Sequence, residues 1–225
     1  MSDYSDKIDR MNTEERSFRI RVADTEEGRA RASMLINKMY AWRGYQGTHR
    51  LDDNPNQITL SAVERGEVFG TVTLGIDSPL GLLADDVFKD HLDIFRERGA
   101  RLCEISKLAF DPTVRSKAAL GSLFHILYIY ATYVYGCTDA IIEINPRHRR
   151  YYETMLGFQN QSTVRTNPRV NAPAHLMWLD LGYMGDEIKR LGGAAEPHGA
   201  ERSLYPYFFS QREESGIADR LMVIG

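Results

Sequence analysis

A carboxyl group and a hydroxyl group lie two residues apart in the apolar segment 102–110, at Glu104 and Ser106. Side chains alternate along a β-strand, so this spacing directs both groups to one face. The segment predicts a strand buried on both sides, where a carboxylate is unfavourable unless it is hydrogen-bonded or functional. Burial raises the pKa of a glutamate, which suits a general base. A structural ion pair with one of the arginines accounts for Glu104 equally well.

A polar, basic turn follows this segment. Residues 111–117 read Asp-Pro-Thr-Val-Arg-Ser-Lys and lead directly into an apolar helix. The free backbone N–H groups of a helix N-terminus bind anions, and Arg115, Ser116 and Lys117 add positive charge and a hydroxyl donor at the same place. The turn therefore predicts a site for one phosphate group, with a solvated helix start as the alternative.

A second basic run, Arg-His-Arg-Arg at 147–150, follows the predicted strand 140–144. Positive charge at a helix N-terminus opposes the helix dipole, so the run invites a functional explanation, although runs of charge are most often simply solvated. If the two strands are parallel neighbours, this run and the turn at 111–117 form one basic rim. Tyr151 and Tyr152 follow on the same short helix, where either one of them donates a proton to a leaving group or both pack against apolar groups.

Other signatures of chemistry are missing from the sequence. None of the six histidines pairs with another histidine or a cysteine at a spacing of three or four residues, so no metal site is predicted. The sequence also contains no nucleophile elbow, phosphate-binding loop or dinucleotide fingerprint.

The composition is that of one large globular domain, or of a domain with a tail. The chain has 225 residues, 43% of them apolar and 26% charged. A net charge of −3 argues against a nucleic-acid-binding protein but leaves room for a local basic patch. Cys103 and Cys137 lie in apolar segments and predict buried thiols in a reducing compartment. Residues 1–21 hold no apolar signal segment, so we expect a cytoplasmic protein.

The elements that hold these groups are predicted from hydrophobic periodicity. A strand–helix–strand–helix core after an antiparallel hairpin implies an α/β fold of the α+β type, with a mixed central sheet and helices on both faces. Ligands on such sheets bind at the C-terminal ends of the parallel strands. The predicted strands are 18–22, 57–63, 68–76, 102–110, 140–144 and a region within 164–181, and the predicted helices are 24–40, 83–98, 118–138 and 147–155, followed by a weak helix.

The uncharged segment 118–138 is long enough to span a bilayer. It carries four tyrosines along its body, whereas tyrosine prefers the membrane interfaces, so we predict a buried core helix. We expect a flexible arm at 1–16, the main domain at 17–191, and a linker with a C-terminal tail that packs on the domain at 192–225. Without a transmembrane span, peripheral contact with a membrane remains compatible with the sequence.

Two segments, 104–120 and 145–158, resemble the GNAT superfamily of N-acyltransferases. Within it the chain is most similar to the N-acyl amino acid synthases of the long-chain N-acyl tyrosine type, which are related to the acyl-homoserine lactone synthases. The similar stretches are Cys-Glu-Ile-Ser-Lys-Leu-Ala at 103–109, Asn-Pro-Arg-His at 145–148, Val-Asn-Ala-Pro-Ala at 170–174 and Leu-Tyr-Pro-Tyr-Phe-Phe at 204–209. The resemblance implies the GNAT acyltransferase fold.

One departure from the superfamily concerns the acyl donor. Most GNAT enzymes place Arg/Gln-x-x-Gly-x-Gly/Ala at the turn that binds the pyrophosphate of coenzyme A, whereas this chain has Ala118 and Leu120 at the glycine positions. Their Cβ atoms restrict approach of the backbone to a diphosphate, while the single phosphate of the phosphopantetheine arm of an acyl carrier protein needs less room. Carrier proteins are acidic, and a basic rim would dock one. The rim residues are Arg115, Lys117, Arg147, Arg149 and Arg150.

The resemblance also implies roles for single residues. Glu104 deprotonates the acceptor ammonium, directly or through a water molecule. Ser106 positions the acceptor, and Tyr152 protonates the thiolate. Lys107 stands where the lactone synthases carry arginine, which is a departure from their motif. The oxyanion hole is formed by the backbone N–H groups of Leu108, Ala109 and Phe110. The residues that close over the acceptor are Arg43, Asp52 and Asp53.

The predicted function is transfer of a medium- or long-chain fatty acyl group from an acyl carrier protein thioester to the α-amino group of an amino acid, with no bound cofactor. Coenzyme A thioesters remain an alternative donor. Two other interpretations stay open. The first is an acyl-homoserine lactone synthase that uses S-adenosylmethionine, and the second is an inert GNAT-fold module that binds a carrier protein or a lipid.

Overall fold

The computed structural model describes residues 17–45, 47–194 and 201–222. Within them, eight strands form one mixed sheet in the order β1-β2-β3-β4-β5-β8-β6, with β7 beside β8. Only β4 and β5 run parallel among these pairs, as the sequence predicted. The strands are β1 (Arg19–Val22), β2 (Gln57–Glu64), β3 (Glu67–Ile76), β4 (Leu102–Phe110), β5 (Asp139–Ile144), β6 (Gln159–Asn160), β7 (Arg165–Asn167) and β8 (Ala172–Asp180).

Helices cover both faces of the sheet, which confirms the predicted fold class. Leu102 of β4 packs against Phe88 on one face, whereas its neighbour Cys103 packs with Leu123 on the other. Strand alternation therefore assigns the helices of these two residues to opposite layers. The helices are α1 (Glu26–Trp42), α2 (Asp85–Glu97), α3 (Lys117–Ile129), α4 (Arg149–Leu156), α5 (Leu181–Leu191) and α6 (Gln211–Met222).

The two parallel strands stay paired over a short distance only. β4 and β5 are hydrogen-bonded neighbours at residues 102–104 and 139–141. Beyond these residues, β4 continues to Phe110 beside β3 and β5 continues to Ile144 beside β8. The strands therefore diverge and leave a gap at their C-terminal ends, where the sequence analysis expected ligands to bind.

A β-bulge interrupts β4 inside this gap. Thr71 pairs with Ala109 and Thr73 with Ser106, so Lys107 and Leu108 together face one residue of β3. Lys107 has a φ of 51°, in the left-handed region that side chains with a Cβ rarely adopt. The bulge shifts the alternation of the strand by one residue, an irregularity that the apolar pattern of 102–110 did not predict.

The uncharged segment 118–138 is a buried helix with an irregular end. The α-helix α3 ends at Ile129, and a π-helical turn continues over Tyr130–Val134. Leu123, Phe124 and Leu127 are at most 1% exposed, as expected of a core helix. Over the ranges that the structure describes, no helix combines the length and the apolar character needed to cross a membrane.

The C-terminal segment packs against α3 and α4. Leu204, Tyr205 and Phe208 are at most 1% exposed, and the hydroxyl group of Tyr205 donates to the carbonyl oxygen of Leu156 at 2.6 Å. The tail also contains α6, which the sequence pattern did not predict. The predicted arm at 1–16 and residues 195–200 of the predicted linker lie outside the described residues.

A buried histidine joins this tail to α3. His125 is fully buried, and its Nδ1 accepts a hydrogen bond from the backbone N–H of Phe209 at 2.9 Å. Its Nε2 lies 3.3 Å from the carboxylate of Glu214 on α6, and the hydroxyl group of Tyr133 donates to the other oxygen of that carboxylate at 2.9 Å. These bonds fix the C-terminal helix to the core.

Candidate active site

A cavity of about 220 Å³ occupies the gap between β4 and β5. It lies on the face of the sheet covered by α1 and α2, and the loops before α2, after α1 and between β7 and β8 close around it. Carboxylates, cations, amides and aromatic groups meet there. The lining includes Tyr40, Tyr45, His49, Glu104, Ser106, Lys107, Glu143, Asn145, Asn167 and Arg169.

Glu104 has the environment of a general base. Its side chain is 3% exposed, and Oε2 accepts a hydrogen bond from the backbone N–H of Ala84 at 3.3 Å. Burial raises its pKa from 4.5 to about 7, with a smaller contribution in the same direction from Glu143. No arginine or lysine among the described residues forms an ion pair with it. Of the two sequence interpretations, the structure therefore disfavours the structural ion pair. Ser106 lines the same cavity, as the two-residue spacing predicted.

A second glutamate in the cavity is held by an amide and a guanidinium group. Glu143 of β5 accepts hydrogen bonds from Asn167 and from Arg169, the latter at 2.9 Å. Arg169 also binds Asp86 at 2.6 Å and the backbone carbonyl group of Leu83, so it ties the β7–β8 loop to the start of α2. Burial raises the pKa of Glu143, while its hydrogen bonds to these two partners act in the opposite direction.

This network was not predicted from the sequence. Glu143 interrupts an otherwise apolar strand, in the same way as Glu104, and that signal was available. Arg169 gave no comparable signal because it lies 26 residues away in an irregular loop.

Aromatic groups from α1 and the following loop cover the cavity. The Tyr40 ring lies edge-on to His49 with centroids 4.6 Å apart, and to Tyr45 at 5.6 Å. Burial raises the pKa of Tyr40 to about 12. The pKa of His49 is lowered by burial and by the nearby charges of Lys107 and Arg169, which favours the neutral imidazole.

Tyr152, the predicted proton donor, sits on α4 beside this aromatic group. It is 8% exposed and makes edge-to-face contacts with Tyr151 and Phe158 at 5.4 and 6.0 Å. Burial raises its pKa above the ordinary value, and Tyr40 is near enough to add to that effect. A phenol in this position keeps its proton until a stronger base forms next to it.

The backbone of β4 after the bulge presents one amide to the gap. The N–H of Asp111 donates to the carbonyl oxygen of Phe69 at 2.8 Å, and Ala109 pairs with Thr71. Alternation in an antiparallel pair therefore directs the N–H of Ala109 towards β3 and that of Phe110 away from it. Of the predicted oxyanion amides, Ala109 is thus engaged within the sheet, and Phe110 faces the gap. Leu108 belongs to the bulge, where this alternation is interrupted.

The predicted phosphate site forms the start of α3. Ser116 is the N-cap, and its hydroxyl oxygen accepts from the N–H of Ala119 at 3.0 Å. Arg115 and Lys117 are exposed, and the first turn of the helix has no acidic residue. The ammonium group of Lys117 lies 5.4 Å from the centre of the Tyr207 ring.

The second basic run lies after β5, at the same edge of the sheet because β4 and β5 are parallel neighbours. Arg147, Arg149 and Arg150 are all exposed. Arg149 pairs with Glu153 at 2.6 Å, whereas neither of the other two pairs with a carboxylate of a described residue.

The three residues predicted to close over the acceptor do not line the cavity that contains Glu104. Asp52 and Asp53 are exposed and lie 3.2 and 3.9 Å from Arg50 and Arg29, respectively. They face a different groove, because the loop after α1 turns other side chains, Tyr45 and His49, towards Glu104. Arg43 is exposed at the C-terminal end of α1.

One family model matches two thirds of the chain. The model of the family described as N-acyl amino acid synthase FeeM matches residues 31–180. A search of curated protein sequences gives no significant match. The structure is similar to that of FeeM, an N-acyl amino acid synthase from uncultured soil microbes, with a TM-score of 0.68 and 24% identity over 75% of this chain and 94% of that one.

Two further solved structures share the fold. An acyl-CoA N-acyltransferase from Pseudomonas aeruginosa has a TM-score of 0.51 and 15% identity, over 72% of this chain and 97% of that one. The acyl-homoserine lactone (AHL) synthase LasI has a TM-score of 0.53 and 12% identity, over 73% of this chain and 90% of that one. The GNAT acyltransferase fold predicted from the sequence is thereby confirmed.

Proposed function

Because the chain belongs to the N-acyl amino acid synthase FeeM family and is therefore an N-acyltransferase, we propose that it transfers a medium- or long-chain fatty acyl group from the phosphopantetheine thioester of an acyl carrier protein to the α-amino group of an amino acid. The observation that carries this proposal is Glu104, a carboxyl group with a pKa of about 7 inside the gap between β4 and β5. A base with that pKa takes a proton efficiently at neutral pH.

The reaction proceeds by direct attack. Glu104 removes a proton from the acceptor ammonium, and the neutral amine attacks the carbonyl carbon of the thioester. The N–H of Phe110 stabilises the negative charge that develops on the carbonyl oxygen in the tetrahedral intermediate. Collapse of the intermediate forms the amide and breaks the C–S bond. Tyr152 gives its proton to the departing thiolate, and the proton that the attacking nitrogen releases restores the phenol.

The start of α3 supports a donor with a single phosphate group. Ala118 carries a Cβ atom where the superfamily motif has glycine, and Leu120 has a larger side chain than the glycine or alanine of the motif. Tyr207 of the tail packs so closely on the same helix that a Cβ at Gly121 would lie 2.8 Å from its carbonyl oxygen. Both features reduce the room for the diphosphate of coenzyme A and leave the cap at Ser116 for one phosphate.

An acidic carrier protein fits the charge around the gap. Of the five basic residues predicted to form the rim, four have no carboxylate partner among the described residues, and the fifth is paired with Glu153. Unpaired cations on one edge attract an acidic partner and orient it during encounter. The four are Arg115, Lys117, Arg147 and Arg150.

Product mass spectrometry tests the proposal. Purified protein is given the twenty common amino acids with palmitoyl acyl carrier protein in one tube and with palmitoyl coenzyme A in another. We expect an N-palmitoyl amino acid from the first tube and much less from the second. Equal product from coenzyme A overturns the choice of donor. No N-acyl amino acid in either tube, from protein shown to be folded, overturns the proposed reaction.

A further inference from the structure

Lys107 faces the cavity although a regular strand would turn it away. Glu104 and Ser106 lie on the face covered by α1 and α2, so alternation assigns residue 107 to the opposite face. The bulge and the positive φ of 51° instead bring Lys107 to line the same cavity as those two residues. Leu108 takes the position facing the core around α3. Backbone strain of this kind persists where the surrounding structure maintains it, and it is concentrated at functional sites.

Lys107 forms no ion pair with a carboxylate of the described residues. Its side chain is half-buried, and within the described ranges no carboxylate lies within ion-pair distance of its ammonium group. The hydrogen bond to Oε1 of Gln57 is long, at 3.5 Å. Burial lowers the pKa of Lys107, whereas Asp52 and Glu104 act in the opposite direction. A partly desolvated ammonium group without a partner binds an anion when one is supplied.

The other basic groups of the cavity are already satisfied or neutral. Arg169 binds two carboxylates, those of Glu143 and Asp86, at 2.9 and 2.6 Å. Burial and the nearby charges of Lys107 and Arg169 lower the pKa of His49, which disfavours a positive charge on its imidazole. Among the described residues that line the cavity, Lys107 is therefore the cation that an entering anion can bind without displacing a carboxylate.

We propose that the ammonium group of Lys107 binds the α-carboxylate of the acceptor and so makes the enzyme select amino acids over amines that lack this group. The proposal rests on the proposed function and names the substrate feature that the site recognises. The cavity of about 220 Å³ is smaller than the ~300–1,000 Å³ typical of drug-sized ligands, which suits one amino acid. An acceptor held by its carboxylate at Lys107 keeps its ammonium group in the same cavity as Glu104.

The test compares an amino acid with its carboxamide. The acceptor is whichever of the twenty common amino acids gives most product. Its primary carboxamide has nearly the same shape but replaces the charged carboxylate, the group that Lys107 binds, by a neutral amide. The amine of the carboxamide is the less basic of the two, so at neutral pH it is the more available nucleophile. A preference for the amino acid therefore reports recognition and not intrinsic reactivity.

We expect wild-type kcat/KM for the amino acid to exceed that for the carboxamide by about 30-fold, the range of one charge-assisted hydrogen bond. Lys107→Met lowers kcat/KM for the amino acid by a similar factor, mostly through KM, and leaves the carboxamide unchanged. Lys107→Arg keeps the preference. The matched control is Lys189→Met, which removes an exposed lysine on α5 and has no effect on either acceptor.

Two results overturn the proposal. The first is an equal kcat/KM of the wild type for both acceptors. The second is an equal loss of kcat/KM for both acceptors in Lys107→Met, as expected if the lysine acts on the thioester.

Calorimetric titration with the amino acid alone separates this proposal from the proposed function. Suppose that neither the wild type nor any variant forms product, but the wild type binds the amino acid more tightly than the carboxamide and Lys107→Met removes this difference. The binding site at Lys107 is then supported, whereas the proposed reaction is wrong. If Lys107→Met does not fold, the wild type and Lys107→Arg still decide through their preference for the amino acid.

Discussion

Replacing Glu104 by glutamine is expected to lower activity and to raise stability at alkaline pH. The substitution keeps the shape of the side chain and its bond from the Ala84 N–H, and removes the group that ionises. General acid–base catalysis by one positioned side chain contributes about 10²- to 10⁴-fold, so kcat/KM should fall by that factor. The expected loss is greatest at pH 8, where the wild-type carboxylate is mostly ionised.

The magnitude of the stability effect follows from the two pKa values. Burial raises the pKa of Glu104 from 4.5 to about 7, so the folded state binds the proton more tightly than the unfolded state does. This contribution to stability is fully present below pH 4.5 and is lost as the pH rises through 7. It is worth about 3 kcal/mol in total, of which about 2.5 kcal/mol is lost between pH 5 and 8.

Two assays check this prediction. Urea unfolding at pH 5 and pH 8 should show that the free energy of unfolding of Glu104→Gln, relative to wild type, increases by about 2.5 kcal/mol between the two conditions. Wild-type kcat/KM should fall as the pH drops below about 7, because Glu104 becomes protonated, and Glu104→Gln should lack this fall. The change in kcat/KM that comes from titration of the acceptor's own ammonium group should be present in both proteins. A pH-independent stability difference, together with an unchanged fall of kcat/KM at acidic pH in Glu104→Gln, refutes the assignment of Glu104 as the base.

The remaining predictions concern the leaving group, the carrier and the tail. Tyr152→Phe should lower kcat by about 100-fold with little change in KM, since the phenol acts only as the thiolate departs; an unchanged kcat removes Tyr152 from the mechanism. The double substitution Arg147→Glu with Arg150→Glu should raise KM for the acyl carrier protein about tenfold or more and leave KM for acyl-pantetheine unchanged, whereas a parallel rise in both contradicts carrier docking. His125→Leu should reduce the free energy of unfolding by about 2–4 kcal/mol in urea titrations, because it leaves the buried Glu214 carboxylate without its histidine partner, and a change below 1 kcal/mol shows that this contact does not stabilise the fold.

The sequence predicted the framework of the site well, because strong apolar periodicity and turn residues determine it. The bounds of the strand 102–110 and its parallel neighbour at 140–144 agree with the structure to within one residue. Gly157 ends α4 in the left-handed conformation that glycine adopts without strain. The hairpin turn at 65–66 has positive φ at both residues, as a type I′ turn between antiparallel strands requires.

The contents of the cavity were harder to predict, because they depend on backbone irregularities and long-range contacts. The bulge at Lys107 leaves no trace in the alternation of 102–110, which on its own assigns residue 107 to the face opposite Glu104. Arg169 binds Glu143 from a loop 26 residues later in the sequence, and a local sequence pattern does not indicate a contact over that separation. The helix α6 is amphipathic but follows a linker, and its packing on the core is a tertiary effect.

The central claim is that this chain joins a fatty acyl group from a carrier protein to the α-nitrogen of an amino acid. Tandem mass spectrometry tests it directly. One reaction contains an acyl carrier protein whose fatty acyl group is labelled with ¹³C as the donor, and ¹⁵N-labelled amino acids as the acceptors. The account predicts a product that carries both labels and fragments at an amide bond to the α-nitrogen, and none of it without the protein. Three results would contradict this claim. They are a doubly labelled ester, a lactone that forms only when S-adenosylmethionine is added, and an acyl–carrier protein thioester that is not consumed.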